Sequence, residues 1–209
     1  PDCERYGLIN TLGDWVINEA CRQMQAWRQQ GATDLFVSVN LSPVQFSRGN
    51  VEAVIAQALR ETGLDPRQLE LEVTESTLIH DTEKFITTLG RIQHSGIRMS
   101  IDDFGTGYSN LSYLQRFPVH KLKIDQSFVR RLMQGQKDVA MVSAIIHLAK
   151  SLQLTVTAEG VENEATREAL TRMGCDQAQG YLFARPMPAK DFEAYWLARP
   201  TLTPIAGQI

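Results

Sequence analysis

Leu69-Glu70-Leu71-Glu72-Val73-Thr74-Glu75 reads as a strand that alternates apolar and acidic residues and ends in a carboxylate. The same ending recurs along the chain. One strand closes Val37-Ser38-Val39-Asn40, another Ser100-Ile101-Asp102-Asp103, another Leu122-Lys123-Ile124-Asp125. A fifth closes Val156-Thr157-Ala158-Glu159-Gly160, and a sixth contains Gln179-Gly180. Parallel α/β folds of both kinds, open doubly wound sheets and (β/α)8 barrels, bind ligands at the C-terminal ends of their strands. Polar groups delivered by many successive strands favour the barrel, where all strand ends surround one pit.

Helical segments separate these strands. Leu8 to Gln30 carries Leu12, Val16, Ala20, Met24 and Trp27 at helical spacing and stops at Gly31. Asn50 to Thr62 follows with Asn50 as the expected N-cap and Gly63 as the stop. Asp81 to His94 is built on Phe85, Leu89 and Ile92. A glycine-rich loop, Asp102 to Asn110, leads to a short helix through Leu111 and Leu114. Ser127 to Leu152 reads as helix broken near Gly135, followed by helices over Glu162 to Met173 and Ala189 to Ala198. The expected strands are 35–40, 69–74, 97–101, 121–124, 155–158 and 178–183. Six strands with helices between them mean βα units and a parallel sheet. No GxGxxG follows the first strand and no GxxxxGK[ST] occurs, so dinucleotide-binding and P-loop readings fail.

Composition narrows the function. The 209 residues are 43% hydrophobic and 22% charged, which is globular and not disordered. The formal net charge of −3 argues against a nucleic-acid duplex held by phosphate neutralisation, so no DNA partner is expected. No apolar run approaches the ~20 residues of a membrane span, and no signal-peptide pattern opens the chain. Cys3, Cys21 and Cys175 are odd in number and lack CxxC spacing, which fits reduced thiols in the cytoplasm.

The strand-end residues define the chemistry. Glu72, Asp102, Asp103 and Glu159 would crowd one pit against a single ammonium, Lys123. Buried carboxylates without partners cost several kcal/mol each, so cations are expected to supply the remaining charge. Carboxylates with the Asn40 amide oxygen are hard ligands suited to Mg²⁺ or Mn²⁺. His80, His94, His120 and His147 all fall in expected loops or helices, which argues against zinc. Two such ions form the standard clamp for in-line displacement at phosphorus, making phosphodiester hydrolysis the leading reaction. Each residue alone has a plainer reading. Asn40 could cap a turn, Glu70 and Glu72 could face solvent on an edge strand, and Asp102-Asp103-Phe104-Gly105 could be a simple turn. Lys123 could be a surface lysine and Glu159-Gly160 a helix cap. Their conjunction at successive strand ends is what the plain readings fail to explain.

The motifs also carry a resemblance. Val39-Asn40-Leu41-Ser42-Pro43-Val44-Gln45-Phe46, Leu71-Glu72-Val73-Thr74-Glu75-Ser76 and Ile101-Asp102-Asp103-Phe104-Gly105-Thr106-Gly107-Tyr108-Ser109 are three of them. Leu122-Lys123-Ile124-Asp125, Ala158-Glu159-Gly160-Val161-Glu162 and Gln179-Gly180-Tyr181-Leu182-Phe183 continue the set. Together, from residue 1 to about 198, they resemble the EAL domain, the cyclic-di-GMP phosphodiesterase of bacterial signalling. The resemblance implies a TIM-type barrel with an antiparallel first strand, hydrolysis of cyclic di-GMP to linear pGpG, and two Mg²⁺ or Mn²⁺ ions. It assigns Asn40, Glu72, Asp102 and Asp103 to the metals, Lys123 to the attacking water, and Glu159 to general-base duty or a water-mediated metal contact. Glu75 becomes the anchor of the 103–109 loop, and Gln179 and Asp125 position water or substrate. A homo-oligomer, with the same loop coupling dimerisation to activity, and upstream sensory or GGDEF domains are implied as well. A parent protein anchored to a membrane through other segments is compatible with a cytoplasmic domain. A non-catalytic cyclic-di-GMP receptor or interaction module is the competing implication.

One motif departs from the family. Glu-Ala-Leu, which names it and carries a metal ligand, reads as absent and is expected upstream of residue 1. TIM barrels run to about 250 residues, roughly 40 more than this chain. The expectation is therefore a domain over 1–198 with about six of eight strands, its first two missing, and a frayed tail over 199–209. Such a chain is expected to leave edges unpaired at 35–40 and 178–183 and to be oligomeric or poorly stable.

Overall fold

The computed structural model describes residues 7–48, 50–79, 83–107, 114 and 116–197. Its strands are β1 (Val37–Leu41), β2 (Leu69–Thr74), β3 (Arg98–Phe104), β4 (Lys121–Ile124), β5 (Thr155–Ala158) and β6 (Gln177–Ala178). All five pairings are parallel, and the order across the sheet is β1-β2-β3-β4-β5-β6. A doubly wound sheet reverses its strand order at a switch point. Here no reversal occurs, so each βα unit adds its strand on the same side of the last. That is how a barrel wall is laid down.

The two faces of this wall differ chemically. Val39, Leu71, Val73, Met99, Ile101, Leu122, Ile124 and Val156 are buried in the apolar core under the helices. The alternate positions carry Ser38 and Asn40, Glu70 and Glu72, Ser100 and Asp102, Lys121 and Lys123, and Thr157. A parallel sheet covered on both faces ordinarily reads as near-continuous apolar runs. The period-two alternation instead places a polar lining opposite the helices.

The helices are α1 (Ile9–Gln29), α2 (Pro43–Arg48), α3 (Val51–Thr62), α4 (Glu75–Ile79), α5 (Glu83–His94), α6 (Gln126–Arg131), α7 (Gln136–Ser151), α8 (Glu164–Arg172) and α9 (Ala189–Leu197). The buried stripe of α1 is Gly13, Ile17, Cys21 and Met24, one position round from the stripe expected, and Leu12 is exposed. The helix rotates because the Gln45 side chain packs where a Cβ on Gly13 would sit, so the small residue faces inward. Asn50 precedes α3 without a side-chain capping bond, whereas Gly63 ends it in the left-handed conformation as expected. The break at Gly135 appears between α6 and α7.

Three expectations need correction, and one of the plainer readings fails. The strand expected over 97–101 continues to Phe104, so Asp102 and Asp103 are strand residues and not the start of a loop. The strand expected over 178–183 is only Gln177–Ala178, and Gln179 follows it. The short helices α2 and α4 fall where strand endings alone were read. Glu159-Gly160 does not cap α8, because the Asn163 side chain accepts from Thr166 N at 2.9 Å and does so instead. Among the described residues β1 pairs only with β2 and β6 only with β5, as expected for the two edges. The short helix through Leu111, residues 108–110 of the loop, His80, Cys3 and the tail from 198 lie outside the described residues.

Candidate active site

Lys123, 5% exposed, stands at the centre of the polar lining. Its ammonium lies 2.6 Å from Glu72 Oε2, 3.1 Å from Asp102 Oδ1 and 2.6 Å from Glu159 Oε1. These partners come from β2, β3 and the end of β5, so one lysine on β4 gathers three elements. Lysine has three N–H donors, and three carboxylates account for them.

The balance of charge explains the titration. Burial first, then the neighbouring carboxylates, push Glu72 and Glu159 above the ordinary carboxylate range, although Lys123 pulls them down. Asp103 is raised by burial and by Asp102 and Asp125. At Lys123 burial works against the charge, but its bonds to Glu159 and Glu72 prevail and hold the ammonium above its usual value. One cation shared among three carboxylates neutralises none of them fully, so each keeps a reason to take up another cation.

That cation has a place to bind. Ligand oxygens of Asp102, Asp103 and Glu159 all lie within 4.8 Å of one another. An all-oxygen acidic set fits a hard divalent ion better than zinc or copper. Asp103 is exposed with φ 56°, a left-handed backbone rare outside glycine, and its N–H donates to Asp102 Oδ1 at 3.0 Å. The turn rotates the second aspartate of the pair away from the path an extended strand would give it. Strain of this kind is retained where the surrounding structure over-determines it, commonly at functional sites.

The other expected site residues fall around this centre. Asn40 is opposite Glu72 in the β1–β2 register and is exposed. Glu75 opens α4 directly after β2, is buried, and its Oε2 accepts from Gly105 N at 2.7 Å and Gly107 N at 3.3 Å. Asp125 caps α6 by accepting from Ser127 N at 2.9 Å, so one of its oxygens is committed to the fold. Gln179 is exposed; its N–H donates to Ala158 O at 2.8 Å and its carbonyl accepts from Val161 N. A cavity of about 560 Å³ lies between β1 and the segment after β6 and reaches Ser38, Glu72, Lys123 and Gln179.

Sequence reading passed over one pair. Glu70 and Lys121 occupy the same lining two residues below Glu72 and Lys123, with Nζ 2.7 Å from Glu70 Oε2 and 2.9 Å from Oε1. The repeated spacing, Glu-x-Glu on one strand and Lys-x-Lys on another, was the available signal. Among the described residues His94 ends α5, His120 lies between strands and His147 lies in α7, none of them in the site.

Fold and site together describe an α/β domain of TIM-barrel construction with an acidic, cation-seeking centre at its strand ends. The EAL domain family model matches residues 1–186, and the chain belongs to that family. It is 46% identical over 194 residues to the bifunctional diguanylate cyclase/cyclic di-GMP phosphodiesterase MucR of Pseudomonas aeruginosa, covering 93% of this chain and 28% of MucR. It is 40% identical over 192 residues to the cyclic di-GMP phosphodiesterase NbdA of the same organism, covering 92% of this chain and 24% of NbdA. The solved complex of the MucR phosphodiesterase with c-di-GMP superposes with a TM-score of 0.88 at 46% identity, over 92% of this chain and 78% of that one. The EAL domain of Mycobacterium smegmatis DcpA superposes with 0.84 at 39% identity, over 90% of this chain and 85% of that one. The chain spans about a quarter of the length of the curated relatives it matches.

The family's three letters do occur, at Glu168-Ala169-Leu170, which corrects their expected absence. They lie on α8, where Ala169 and Leu170 are core residues and Glu168 is exposed 3.8 Å from Arg172. Helical spacing explains them, and they contribute nothing to the strand-end site.

Proposed function

We propose that this chain is the catalytic domain of a metal-dependent phosphodiesterase that hydrolyses cyclic di-GMP to linear pGpG. The observation that carries the reading is Lys123 held by Glu72, Asp102 and Glu159 beside the Asp102–Asp103–Glu159 cluster. The names of MucR and NbdA and the c-di-GMP complex of MucR support the choice of substrate.

Asn40, Glu72, Asp102 and Asp103 hold two Mg²⁺ or Mn²⁺ ions in this reading. The ions, when bound, supply Lewis-acid stabilisation to both the attacking and the leaving oxygen of an in-line displacement. The chain's own residues manage protons and position. Glu159, whose carboxyl burial holds above the ordinary carboxylate range, accepts a proton as water attacks phosphorus. The water oxygen bonds to phosphorus, one ester P–O bond breaks, and the released ribose oxygen ends as a hydroxyl, which opens the ring. Lys123 orients the water and keeps Glu159 aimed into the pit. Glu75 fixes the backbone of Gly105 and Gly107, and Gln179 and Asp125 position water or substrate at the rim.

The wider assignments belong to the same reading. Sensory or GGDEF partners fit the length of the relatives. A homo-oligomer fits β1 and β6, each of which pairs with one strand only among the described residues, an arrangement open to pairing with another chain. A cytoplasmic site suits the free thiols of Cys21 and Cys175. Among the described residues no helix is long and apolar enough to cross a membrane.

The test is incubation with cyclic di-GMP and Mn²⁺ followed by separation of the nucleotides. pGpG should accumulate, and Glu159→Gln should slow it by about 10²–10⁴-fold. Tight nucleotide binding without turnover would instead make the domain a receptor.

A further inference from the structure

The second ion pair, Glu70 with Lys121, lies deeper in the same lining. Glu70 is 1% and Lys121 7% exposed. Lys121 also sits 4.5 Å above the Phe36 ring, which favours the charged ammonium there. Side chains two apart on a strand project from the same face about 7 Å apart. The lining therefore holds two like-charged rungs: Glu70 below Glu72 on β2, and Lys121 below Lys123 on β4. Both pairs cross over β3. There the lining positions are Ser100, fully buried with no partner for its hydroxyl among the described residues, and Asp102, itself 3.1 Å from Lys123 Nζ. The Ser38 hydroxyl, on the neighbouring strand β1, lies 3.5 Å from Glu70 Oε1. No apolar layer separates the rungs.

This arrangement poses a pairing problem. By strand spacing, each lysine's alternative glutamate lies about 7 Å along the lining from the one it holds. If Lys123 turned down to Glu70, Glu159 and Asp102 would lose their ammonium. If Lys121 turned up to Glu72, a second cation would occupy the acidic centre. We propose that the Glu70–Lys121 pair is a positioning device: it satisfies the lower rung so that Lys123 serves only the upper carboxylates and no second ammonium competes with a divalent ion. The inference rests on the metal-site reading above and extends it to two residues outside the ligand set.

The two single substitutions should act in opposite directions on metal binding. Glu70→Gln releases Lys121 toward Glu72 and should weaken Mn²⁺ binding by about tenfold or more, the usual range for residues supporting metal ligands. Lys121→Met leaves Glu70 a buried carboxylate that draws Lys123 downward. Hydrolysis should then fall by about tenfold or more while Mn²⁺ binds as tightly as before or tighter. The double variant Glu70→Gln with Lys121→Met removes both charges and should restore binding and turnover to near the wild-type level, since a buried pair replaced whole is often neutral.

The experiment is Mn²⁺ titration followed by electron paramagnetic resonance on the folded variants, with hydrolysis measured in parallel. Opposite signs for the two single variants, or loss in Glu70→Gln with recovery in the double variant where Lys121→Met does not fold, support the assignment. Equal weakening in both singles, or a double variant as weak as either, overturns it and leaves the pair a plain structural bridge. A wild-type chain that binds no Mn²⁺ overturns the metal reading itself, an outcome distinct from either.

Discussion

The ammonium of Lys123 on β4 lies 2.6 Å from Glu159 Oε1, just beyond the end of β5, in a pocket where both side chains are largely buried. Neither strand could supply this contact from its own sequence. β4 and β5 are neighbours in register, Lys123 opposite Thr157, so Glu159 must reach back two residues. The left-handed Gly160 that follows turns the chain immediately after it, with the Gln126 side chain where a Cβ would stand.

Lys123→Met removes the one cation that the three carboxylates share. Deleting one partner of a buried ion pair typically costs about 3–5 kcal/mol, because the other charge stays buried and uncompensated. Melting of the metal-free variant should fall accordingly. Addition of Mn²⁺ should recover more stability in the variant than in the wild type, since the ion replaces lost positive charge. A variant that melts like the wild type without metal would remove Lys123 from the centre of this account.

The pH dependence of stability follows from the directions of the shifts. Glu72 and Glu159 have folded pKa values above their unfolded ones, so the folded state binds the extra protons. Their contribution is fully present below the unfolded glutamate value of about 4.3 and is lost as pH rises through the raised folded values. Asp65 runs the other way. The Arg67 guanidinium and backbone N–H hold its carboxyl down at about 2. Its contribution is present above about 3.9 and lost as pH falls toward 2. Metal-free chain should therefore melt highest in mild acid, and lower at neutral pH. Mn²⁺ should raise melting more at neutral pH than in mild acid, because it binds the deprotonated carboxylates. A melting temperature in chelator that climbs from mild acid to neutral pH would contradict the raised carboxylates.

Two glycine substitutions should have opposite signs. A Cβ on Gly180 would stand 2.2 Å from Val161 O and 2.4 Å from Val161 N, backbone atoms held in place because Val161 N donates to Gln179 O and Val161 O accepts from Leu182 N. Gly180→Ala should cost about 1–3 kcal/mol as an overpacked site and displace Gln179 beside it. Gly90 lies inside α5 with nothing within 4 Å of the position a Cβ would take. Gly90→Ala should stabilise by about 0.5–1 kcal/mol through helix propensity alone. Urea denaturation of the two variants separates these outcomes, and a neutral Gly180→Ala would mean the turn after β6 is free to move.

Much of this was legible in the sequence. The bounds of β2, β4 and β5 were readable to the residue, because alternation of apolar core and polar lining stops where the chain turns. β3 was read short because two adjacent aspartates look like a loop, whereas the lining accepts Asp102 and the left-handed backbone at Asp103 keeps the second carboxylate exposed beside it. The helices α2 and α4 have six and five residues, too few for a period to show. The face of α1 was misread because Gly13 faces inward for its missing side chain, which a stripe of large apolar residues does not report. The site carboxylates were visible because charge at successive strand ends is costly without a reason. Glu70 and Lys121 were not, because only the curvature that brings β2 and β4 together over Ser100 makes them partners.

The Glu75 carboxylate links the end of β2 to the segment following β3. Its Oε2 receives N–H bonds from both Gly105 and Gly107, and neither glycine is incidental. Gly105 has φ 99° and would bring a Cβ to 2.8 Å from the Phe128 ring, while a Cβ on Gly107 would stand 3.2 Å from the Glu75 carboxylate. Glu75→Ala leaves these amides without their acceptor, a loss of about 1–3 kcal/mol at a buried position. Because both amides lie within a few residues of Asp103, the loosened turn should also displace that aspartate. The expected result is faster hydrogen exchange at Gly105 and Gly107 together with weaker Mn²⁺ binding, and Glu75→Gln, which keeps an acceptor oxygen, should show a smaller effect on both. Exchange at Gly105 unchanged in Glu75→Ala would mean the turn is held by its own glycines, and the carboxylate would then be a bystander to the site.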